Sequence, residues 1–288
     1  MDALTTGLLV TLKVTVFVLI VAIGLDSRLA DVRYLWRRPG LLLRSLVAMY
    51  VVVPLLALLM VKTLPLATGV KVAMLVLAVS AGAPLLPRKL MSLGEGDYIF
   101  GLVVTSSLLA IVTVPAWVAV LGPMFGHDVE LAPAQVAKVI FSSFLAPLAA
   151  GMVLRRLLGE KADRVGDALM AVAGIVMTAA ALLLLALNWE VLRVAGWGFV
   201  LALGVFAAAA LAIGHLLGGP APDNRTALAV SCATRHVGIA ILLASLVPGP
   251  RIAVLVAAYF LASALASVPY MKWRRRAVPP PPPANVAG

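Results

Sequence analysis

Acidic residues are scarce in this chain, and they lie in the connections between long apolar runs. The 288 residues include 12 Asp and Glu against 23 Lys and Arg, and 63% are hydrophobic. A chain so poor in charge lacks the polar surface of a soluble globular protein. Its apolar runs repeatedly exceed the roughly 18 residues that mark a membrane span. The sequence therefore predicts a polytopic membrane protein.

Cysteine is also nearly missing, because Cys232 is the single one. This excludes an internal disulfide framework and any site with several cysteine ligands. No Ser/His/Asp, Cys/His, paired-carboxylate or metal-ligand constellation falls at membrane depth, and no glycine-rich phosphate loop is present. We therefore predict no enzyme activity, no metal and no cofactor. The net charge of +11 lies mostly in short connections, where basic residues set membrane orientation, so we expect no nucleic-acid partner.

The apolar runs predict an all-α protein with nine transmembrane helices. We number the predicted spans 1 to 9, and they run approximately over Leu4–Leu25, Gly40–Val61, Leu66–Leu93, Tyr98–Leu121, Ala134–Leu154, Asp167–Asn188, Gly196–Leu217, Thr226–Val247 and Ile252–Met271. Residues 1–276 form one transmembrane unit in this interpretation. The proline run in residues 277–288 has few backbone donors and predicts a disordered or polyproline tail.

The basic residues of the connections predict the orientation. With the N-terminus outside, 13 of them lie on the cytoplasmic side and 4 on the other side. This bias agrees with the positive-inside rule and with an odd number of spans. We therefore predict a multi-pass protein of the cell membrane, the inner membrane in a bacterium, with a cytoplasmic C-terminus.

Two arginines, Arg88 and Arg235, lie within otherwise apolar spans 3 and 8. An ionised side chain at bilayer depth costs roughly 2.5 to 3.5 kcal/mol on insertion scales, and it normally faces a cavity, a counter-charge or a substrate. Both segments also carry residues that interrupt or weaken a helix, namely Gly82, Pro84 and Pro87 in span 3 and Ser231, Thr234 and Gly238 in span 8. Such interruptions at membrane depth are tolerated where they line a protein cavity.

Spans 3 and 8 also indicate an internal inverted repeat. They lie five spans apart, cross the membrane in opposite directions, and are each followed by one further span before a basic or polar connection. Matching broken helices in two inverted halves are typical of secondary transporters, whose sites lie where the halves meet. We therefore predict an inverted-repeat transporter fold in which the two broken helices cross.

Several stretches resemble the bile acid/sodium symporter family. They are VFVLIVAIGLDSRLADVRYLWRRPGLLLRSLVAMYVVVPLLALLM, the segment Ala81–Pro115 with GEGDYIFGLVVTSSLLAIVTVP, and TRHVGIA, which resembles the core of that family's ninth helix. The resemblance implies a panel of spans 1, 5 and 6, and a core of spans 2, 3, 4, 7, 8 and 9. It also implies transport by alternating access, in which the core moves against the panel.

The positions that correspond to the family's sodium ligands hold different residues here. By the resemblance, the serine-asparagine pair falls on Pro87 and Arg88, and the glutamate, glutamine and asparagine fall on Ser231, Arg235 and His236. Thr105 keeps a hydroxyl at a sodium-ligating position. A guanidinium offers hydrogen-bond donors only, whereas sodium requires oxygen ligands. We therefore predict sodium-independent transport, with arginines in place of the sodium ions.

The uncompensated positive charge predicts a small organic anion as the substrate. A carboxylate, sulfonate or phosphate would meet half-helix amides and the guanidinium of Arg235 or Arg88. We expect Thr105, Ser231 and Thr234 to contribute to the same site. His236 adjoins Arg235 and titrates near neutral pH when unperturbed, which would couple the anion to protons.

Two alternatives remain at this point. The chain retains sodium coupling through backbone carbonyls and Thr105, or it is a non-transporting sensor or scaffold whose arginines form a fixed structural network.

Overall fold

A computed structural model describes residues 3–26, 35–80, 96–121, 133–246 and 251–277. Within these ranges the chain is helical apart from short connections, and no residue lies in a β-strand. The α-helices, numbered in chain order, are α1 (Ala3–Asp26), α2 (Pro39–Val47), α3 (Val53–Thr63), α4 (Thr68–Val79), α5 (Gly96–Leu121), α6 (Pro133–Ile140), α7 (Ala146–Leu158), α8 (Ala162–Leu187), α9 (Trp189–Leu217), α10 (Pro222–Ala233), α11 (Val237–Leu246) and α12 (Arg251–Ala277).

Six helical stretches of the described chain are long and apolar enough to cross a membrane. One of them, Ala134–Leu187, contains α6, α7 and α8. A 3-10 turn at Gly159–Lys161 separates α7 from α8, and Gly159 adopts a φ of +54°, which an L side chain rarely permits. The prediction of an all-helical membrane protein is thus confirmed. The count of nine spans stays a prediction, and the predicted tail, apart from Ala277 at the end of α12, lies outside the described residues.

Two spans contain a turn of π-helix that ends two residues before a proline. The π-helices are Ala48–Val52, between α2 and α3, and Phe141–Leu145, between α6 and α7. Pro54 has no N–H and cannot bond to the carbonyl of Tyr50 four residues earlier. The indole Nε1 of Trp117 donates to this carbonyl at 2.9 Å. A side chain of α5 thereby satisfies a backbone group that proline leaves without its usual partner.

Helix α1 packs against α7 and α8. The approach to α7 is close because Gly24 faces Gly151, and a Cβ on either glycine would overlap the other helix's backbone. Small residues of this kind allow transmembrane helices to approach to backbone contact. Arg155 on α7 reinforces the group by donating to the Leu25 carbonyl and pairing with Asp163 on α8 at 3.1 Å. We call α1, α6, α7 and α8, with the π-turn between α6 and α7, the first helix group.

The remaining helices form a second group, in which α9 packs against α10 and α12. Gly214 on α9 lies against the backbone of Leu228 and Ala229 on α10, where a Cβ would not fit. Helix α9 contains a break at Gly196, whose φ of 73° and ψ of 174° are not helical, close to the predicted start of span 7. Helix α12 contacts α4, α10 and α11 of its own group and α8 of the first group. The α8–α12 contact is therefore one place where the two groups meet.

Candidate functional site

The described part of span 8 is interrupted between α10 and α11 by Thr234, Arg235 and His236. Thr234 is extended, with φ −83° and ψ 149°, and its hydroxyl donates to the Val230 carbonyl at 2.8 Å. The backbone N–H of His236 donates to the carbonyl of Ser80 at 2.9 Å. Ser80 follows the last residue of α4, so the end of α4 meets the interruption between α10 and α11. This contact brings the described parts of spans 3 and 8 together inside the protein.

The Arg235 side chain is buried at this interruption, with 1% of its surface exposed. Its Cζ lies 5.8 Å from the centroid of the Phe206 ring, and Phe206 in turn packs against Tyr259 with centroids 5.6 Å apart. The Tyr259 hydroxyl donates to the Ala233 carbonyl. Among the described residues, no hydrogen-bond acceptor pairs with Arg235 Nε, Nη1 or Nη2. A buried guanidinium without well-placed acceptors is costly unless a ligand completes it.

Arg235 lines a cavity of about 120 Å³ between the two helix groups. The first group contributes Leu12, Met177, Thr178 and Ala181, and the second contributes Thr234, Arg235, Ala257, Phe260, Leu261, Ser263, Ala264 and Ser267. The lining is mostly apolar with a few converging polar groups, which is typical of small-molecule sites.

The hydroxyl groups of this cavity already donate to their own helices. Thr178 donates to Gly174 at 2.8 Å, Ser263 to Phe260 at 3.0 Å and Ser267 to Ser263 at 2.7 Å, each to a backbone carbonyl. Their oxygens remain available only as acceptors. Among the described lining side chains, the unpaired donors therefore belong to Arg235.

His236 is oriented by the helix that follows it. Its Nδ1 accepts a long hydrogen bond from the Ile239 backbone N–H at 3.4 Å, so a neutral ring carries its proton on Nε2. That Nε2 is buried without a partner in the described structure. The ring also makes an edge contact with Phe144 of the first helix group, with centroids 6.0 Å apart. His236 thus adds a second unpaired donor close to the group boundary.

The other predicted site residues are dispersed. Ser231 is fully buried in α10 and donates to the Ala227 carbonyl at 2.8 Å. Thr105 lies on α5, where its hydroxyl accepts a hydrogen bond of 3.2 Å from the Trp36 indole. Gly238 lies in the first turn of α11. The predictions for Arg88, Gly82, Pro84 and Pro87 fall on residues outside the described ranges.

The profile of the Sodium Bile acid symporter family matches residues 13–194. The chain belongs to this family. No curated protein matches the sequence. The family match confirms the resemblance over α1 to the beginning of α9, and it favours a membrane transporter over an enzyme. It ends before α10, so the segment that carries Arg235 lies beyond the matched part.

The family's name refers to sodium, so it matters whether the described residues of this member could coordinate a cation. In the described part of the chain, no three His, Cys, Asp or Glu side chains are grouped so that they would hold a metal ion. Ser231 donates its hydroxyl proton to the Ala227 carbonyl of its own helix. Arg235, in the interruption that follows this helix, carries a guanidinium. A guanidinium repels a cation and provides no oxygen ligand.

Sequence reasoning missed one intramembrane cation, Lys13. It follows the first residue of α1 by ten positions and precedes the last by 13, so it lies near mid-helix. It lines a groove with Ser142 and Ser143 on the π-turn after α6. The signal was present in the sequence, because a single lysine in an apolar run meets the same criterion that identified Arg235.

Proposed function

We propose that this member of the Sodium Bile acid symporter family is a secondary transporter of a small organic anion, held at Arg235. The observation that carries the proposal is the buried Arg235 guanidinium, whose nitrogens have no acceptor among the described residues. Arg235 is also one of the residues that line the cavity between the two helix groups. A carboxylate or sulfonate would accept two parallel N–H bonds from a guanidinium. It would also neutralise the charge that the described helices leave uncompensated.

The mechanism we propose is alternating access, with movement of a core against a panel. The panel comprises spans 1, 5 and 6, which correspond to α1, α6–α7 and α8, and the core comprises the other six spans of a unit over residues 1–276. The packing of α1 on α7 and α8 supports the panel. Residues of both helix groups line the Arg235 cavity, which is where such movement would expose a ligand to alternate sides.

The proposed fold has nine spans, in which spans 3 and 8 are broken helices that cross. The hydrogen bond from the His236 N–H to the Ser80 carbonyl supports a crossing at this point. Arg88 would approach the same point from span 3. The three arginines of the last turn of α12 support a cytoplasmic C-terminus, and with nine spans an external N-terminus, in a bacterial inner membrane.

We further propose that transport is independent of sodium, because cationic side chains take the sodium positions. His236 offers proton coupling instead, because its ring beside Arg235 would take up a proton on Nδ1 and give up the hydrogen bond that this nitrogen accepts from the Ile239 N–H. Protonation of the ring would add a second positive charge at the anion.

The test is uptake into proteoliposomes of a panel of organic anions, including short carboxylates, an alkyl sulfonate and a bile acid. Sodium, proton and potential gradients are imposed one at a time. We expect uptake of at least one anion to persist when choline replaces sodium. Uptake that requires external sodium at constant pH and voltage would contradict sodium independence and favour the alternative, a sodium-coupled symporter of organic anions or bile acids, for which the family's name speaks.

A candidate of another class is a non-transporting membrane sensor or scaffold. The contact of Arg235 with the Phe206 ring favours it, because cation–π pairs also stabilise static structures. The absence of uptake for every anion, together with a loss of thermal stability when Arg235 is replaced, is the outcome that would support this candidate.

A further inference from the structure

Two arginines, Arg44 and Arg225, meet at Gly219 in the connection between α9 and α10. The Nε of Arg225 donates to the Gly219 carbonyl at 2.6 Å. The Nη1 of Arg44, on α2, lies 3.8 Å from the place that a Cβ on Gly219 would occupy. Gly219 adopts a φ of +80°, which favours glycine, so no side chain at this position separates the two guanidinium groups. We call Arg44 and Arg225 the arginine pair.

Both members of the arginine pair keep donors that the described structure does not use. Arg44 is exposed, and no described acidic side chain pairs with it. The bond from Arg225 to Gly219 uses Nε, which leaves the two terminal nitrogens available. Asp223, in the first turn of α10, pairs with neither arginine, and residues two positions apart on a helix do not face each other. Two like charges held this close repel each other unless an anion lies between them.

Arg274, near the end of α12, holds the start of α10 in place beside the arginine pair. It is 7% exposed, and it donates from Nε to the Thr226 hydroxyl and from Nη2 to the Pro222 carbonyl, both at 3.0 Å. Its Cζ also lies 5.5 Å from the centroid of the Trp273 ring. The helical turn that carries Arg225 is thus anchored to α12, so the position of Arg225 does not depend on a free loop.

The arginine pair lies at the depth of lipid headgroups. At about 1.5 Å of rise per residue, Arg44 is about 8 Å from the start of α2, and Gly219 comes two residues after the end of α9. On the last turn of α9, the Nδ1 of His215 lies 2.9 Å from the Tyr270 hydroxyl, and its ring contacts that of Trp273. Tyrosine and tryptophan are enriched at membrane–water interfaces, so this end of the helices belongs to such an interface.

Exposed leucines adjoin the arginine pair along the chain. Leu43 directly precedes Arg44 and has 64% of its surface exposed, and Leu216, three residues before Gly219, has 79% exposed. Acyl chains pack against such residues when a headgroup lies at the neighbouring arginines. A phosphate accepts two parallel hydrogen bonds from a guanidinium, which suits both members of the pair.

We propose that the arginine pair binds the phosphate of an anionic phospholipid such as phosphatidylglycerol. In the proposed orientation the pair faces the cytoplasmic leaflet, whose surface is negative. The positive-inside rule concerns basic residues of the connections, whereas Arg44 lies within α2 and contacts another span's connection. A bound lipid links α2 to the start of α10, the helix that leads to the interruption at Arg235. The site is separate from Arg235 and does not rest on the proposed function.

Lipid binding is measured by native mass spectrometry of the full-length protein in detergent, titrated with phosphatidylglycerol or phosphatidylcholine. We expect the wild type to prefer phosphatidylglycerol. Arg44→Gln should weaken phosphatidylglycerol binding about ten-fold, which is the loss expected for one charge-assisted contact, and Arg44→Lys should retain binding because it keeps the charge. Arg44 is the residue to replace because Arg225 also holds the Gly219 carbonyl. The matched control is Arg37→Gln, which removes an exposed arginine that does not touch Gly219 and should change nothing.

Four outcomes would overturn the inference. Equal phosphatidylglycerol affinity of the wild type and Arg44→Gln means that the arginine pair does not bind the headgroup. An equal loss in Arg37→Gln means that diffuse surface charge attracts the lipid. An equal loss of phosphatidylcholine binding in Arg44→Gln means that the variant disrupts the structure. Displacement of phosphatidylglycerol by the same concentration of inorganic phosphate assigns the pair to a soluble phosphate. None of these measurements involves transport or Arg235, so failure of this site and failure of the proposed function are distinguishable.

Discussion

At the scale of single residues, the proposed function depends on hydrogen-bond donors that the described residues leave unpaired. Arg235 and His236 are adjacent and buried. Among the described residues, Nε, Nη1 and Nη2 of Arg235 and Nε2 of His236 have no hydrogen-bond partner. Natural structures rarely leave such groups unsatisfied in the interior. A ligand that supplies acceptors and negative charge accounts for both residues at once.

Replacing His236 by Asn separates its contact with the first turn of α11 from its proposed role as a hydrogen-bond donor to the anion through Nε2. The Asn oxygen retains a cap for the Ile239 N–H at the start of α11, but the variant lacks the Nε2 donor. We expect anion affinity to fall about ten-fold, in line with the loss of one hydrogen bond to a charged group, while the melting temperature changes little. Binding isotherms of a transported anion and thermal unfolding provide the two measurements. An unchanged affinity would show that His236 only caps the helix.

The sequence identified Arg235 because a charged residue in an apolar run is conspicuous without any structure. It did not place Thr105 beside Trp36, because that contact joins residues 69 positions apart. Lys13, near the middle of α1, meets the same criterion for an intramembrane cation.

At the scale of helices, proline and glycine determine how the spans are built. The π-turns before Pro54 and Pro147 alter the backbone bonding of their spans, and glycines such as Gly24, Gly151 and Gly214 allow close contacts between helices. The sequence predicted that Pro54 and Pro147 lie inside spans. It did not predict the π-turns, since their partners, such as Trp117, come from other helices.

The Trp117→Phe substitution tests how much the hydrogen bond from the Trp117 indole to the Tyr50 carbonyl stabilises the protein. The change removes the indole donor while retaining an aromatic ring, so we expect a destabilisation of about 1 kcal/mol, within the range for hydrogen bonds inside membranes. Trp36→Phe is the control, because Trp36 is 61% exposed and donates to a side-chain hydroxyl. Thermal unfolding in detergent measures both. Equal effects of the two substitutions would contradict a special role for Trp117 at the π-turn.

At the scale of the whole molecule, two helix groups share one cavity. The all-helical membrane fold followed from composition alone, because long apolar runs admit few other structures. The grouping of α1 with α7 and α8 came from the family resemblance, and the glycine contacts between α1 and α7 explain part of it physically. Composition by itself contains no information on which helices pack together.

Cross-linking tests whether the groups move against each other. Met177 on α8 and Leu261 on α12 line the shared cavity from opposite groups, and the native Cys232 is buried. A bifunctional thiol reagent on the Met177→Cys, Leu261→Cys protein should abolish uptake, and a cleavable reagent should restore it on reduction. The control pair is Leu8→Cys with Leu184→Cys, because both residues belong to the first group and lie in the same apolar cluster. Undiminished uptake by the cross-linked test pair would exclude movement at this boundary.

The most direct measurement compares anion binding and thermal stability for the wild-type protein and the Arg235→Met variant. Removing a buried charge that has no acceptor among the described residues should leave the ligand-free protein as stable as before, or more stable by up to about 4 kcal/mol. The same change should abolish stabilisation by an organic anion that stabilises the wild type. If the variant is destabilised by several kcal/mol and still binds the anion, Arg235 is a structural residue and the central claim is wrong.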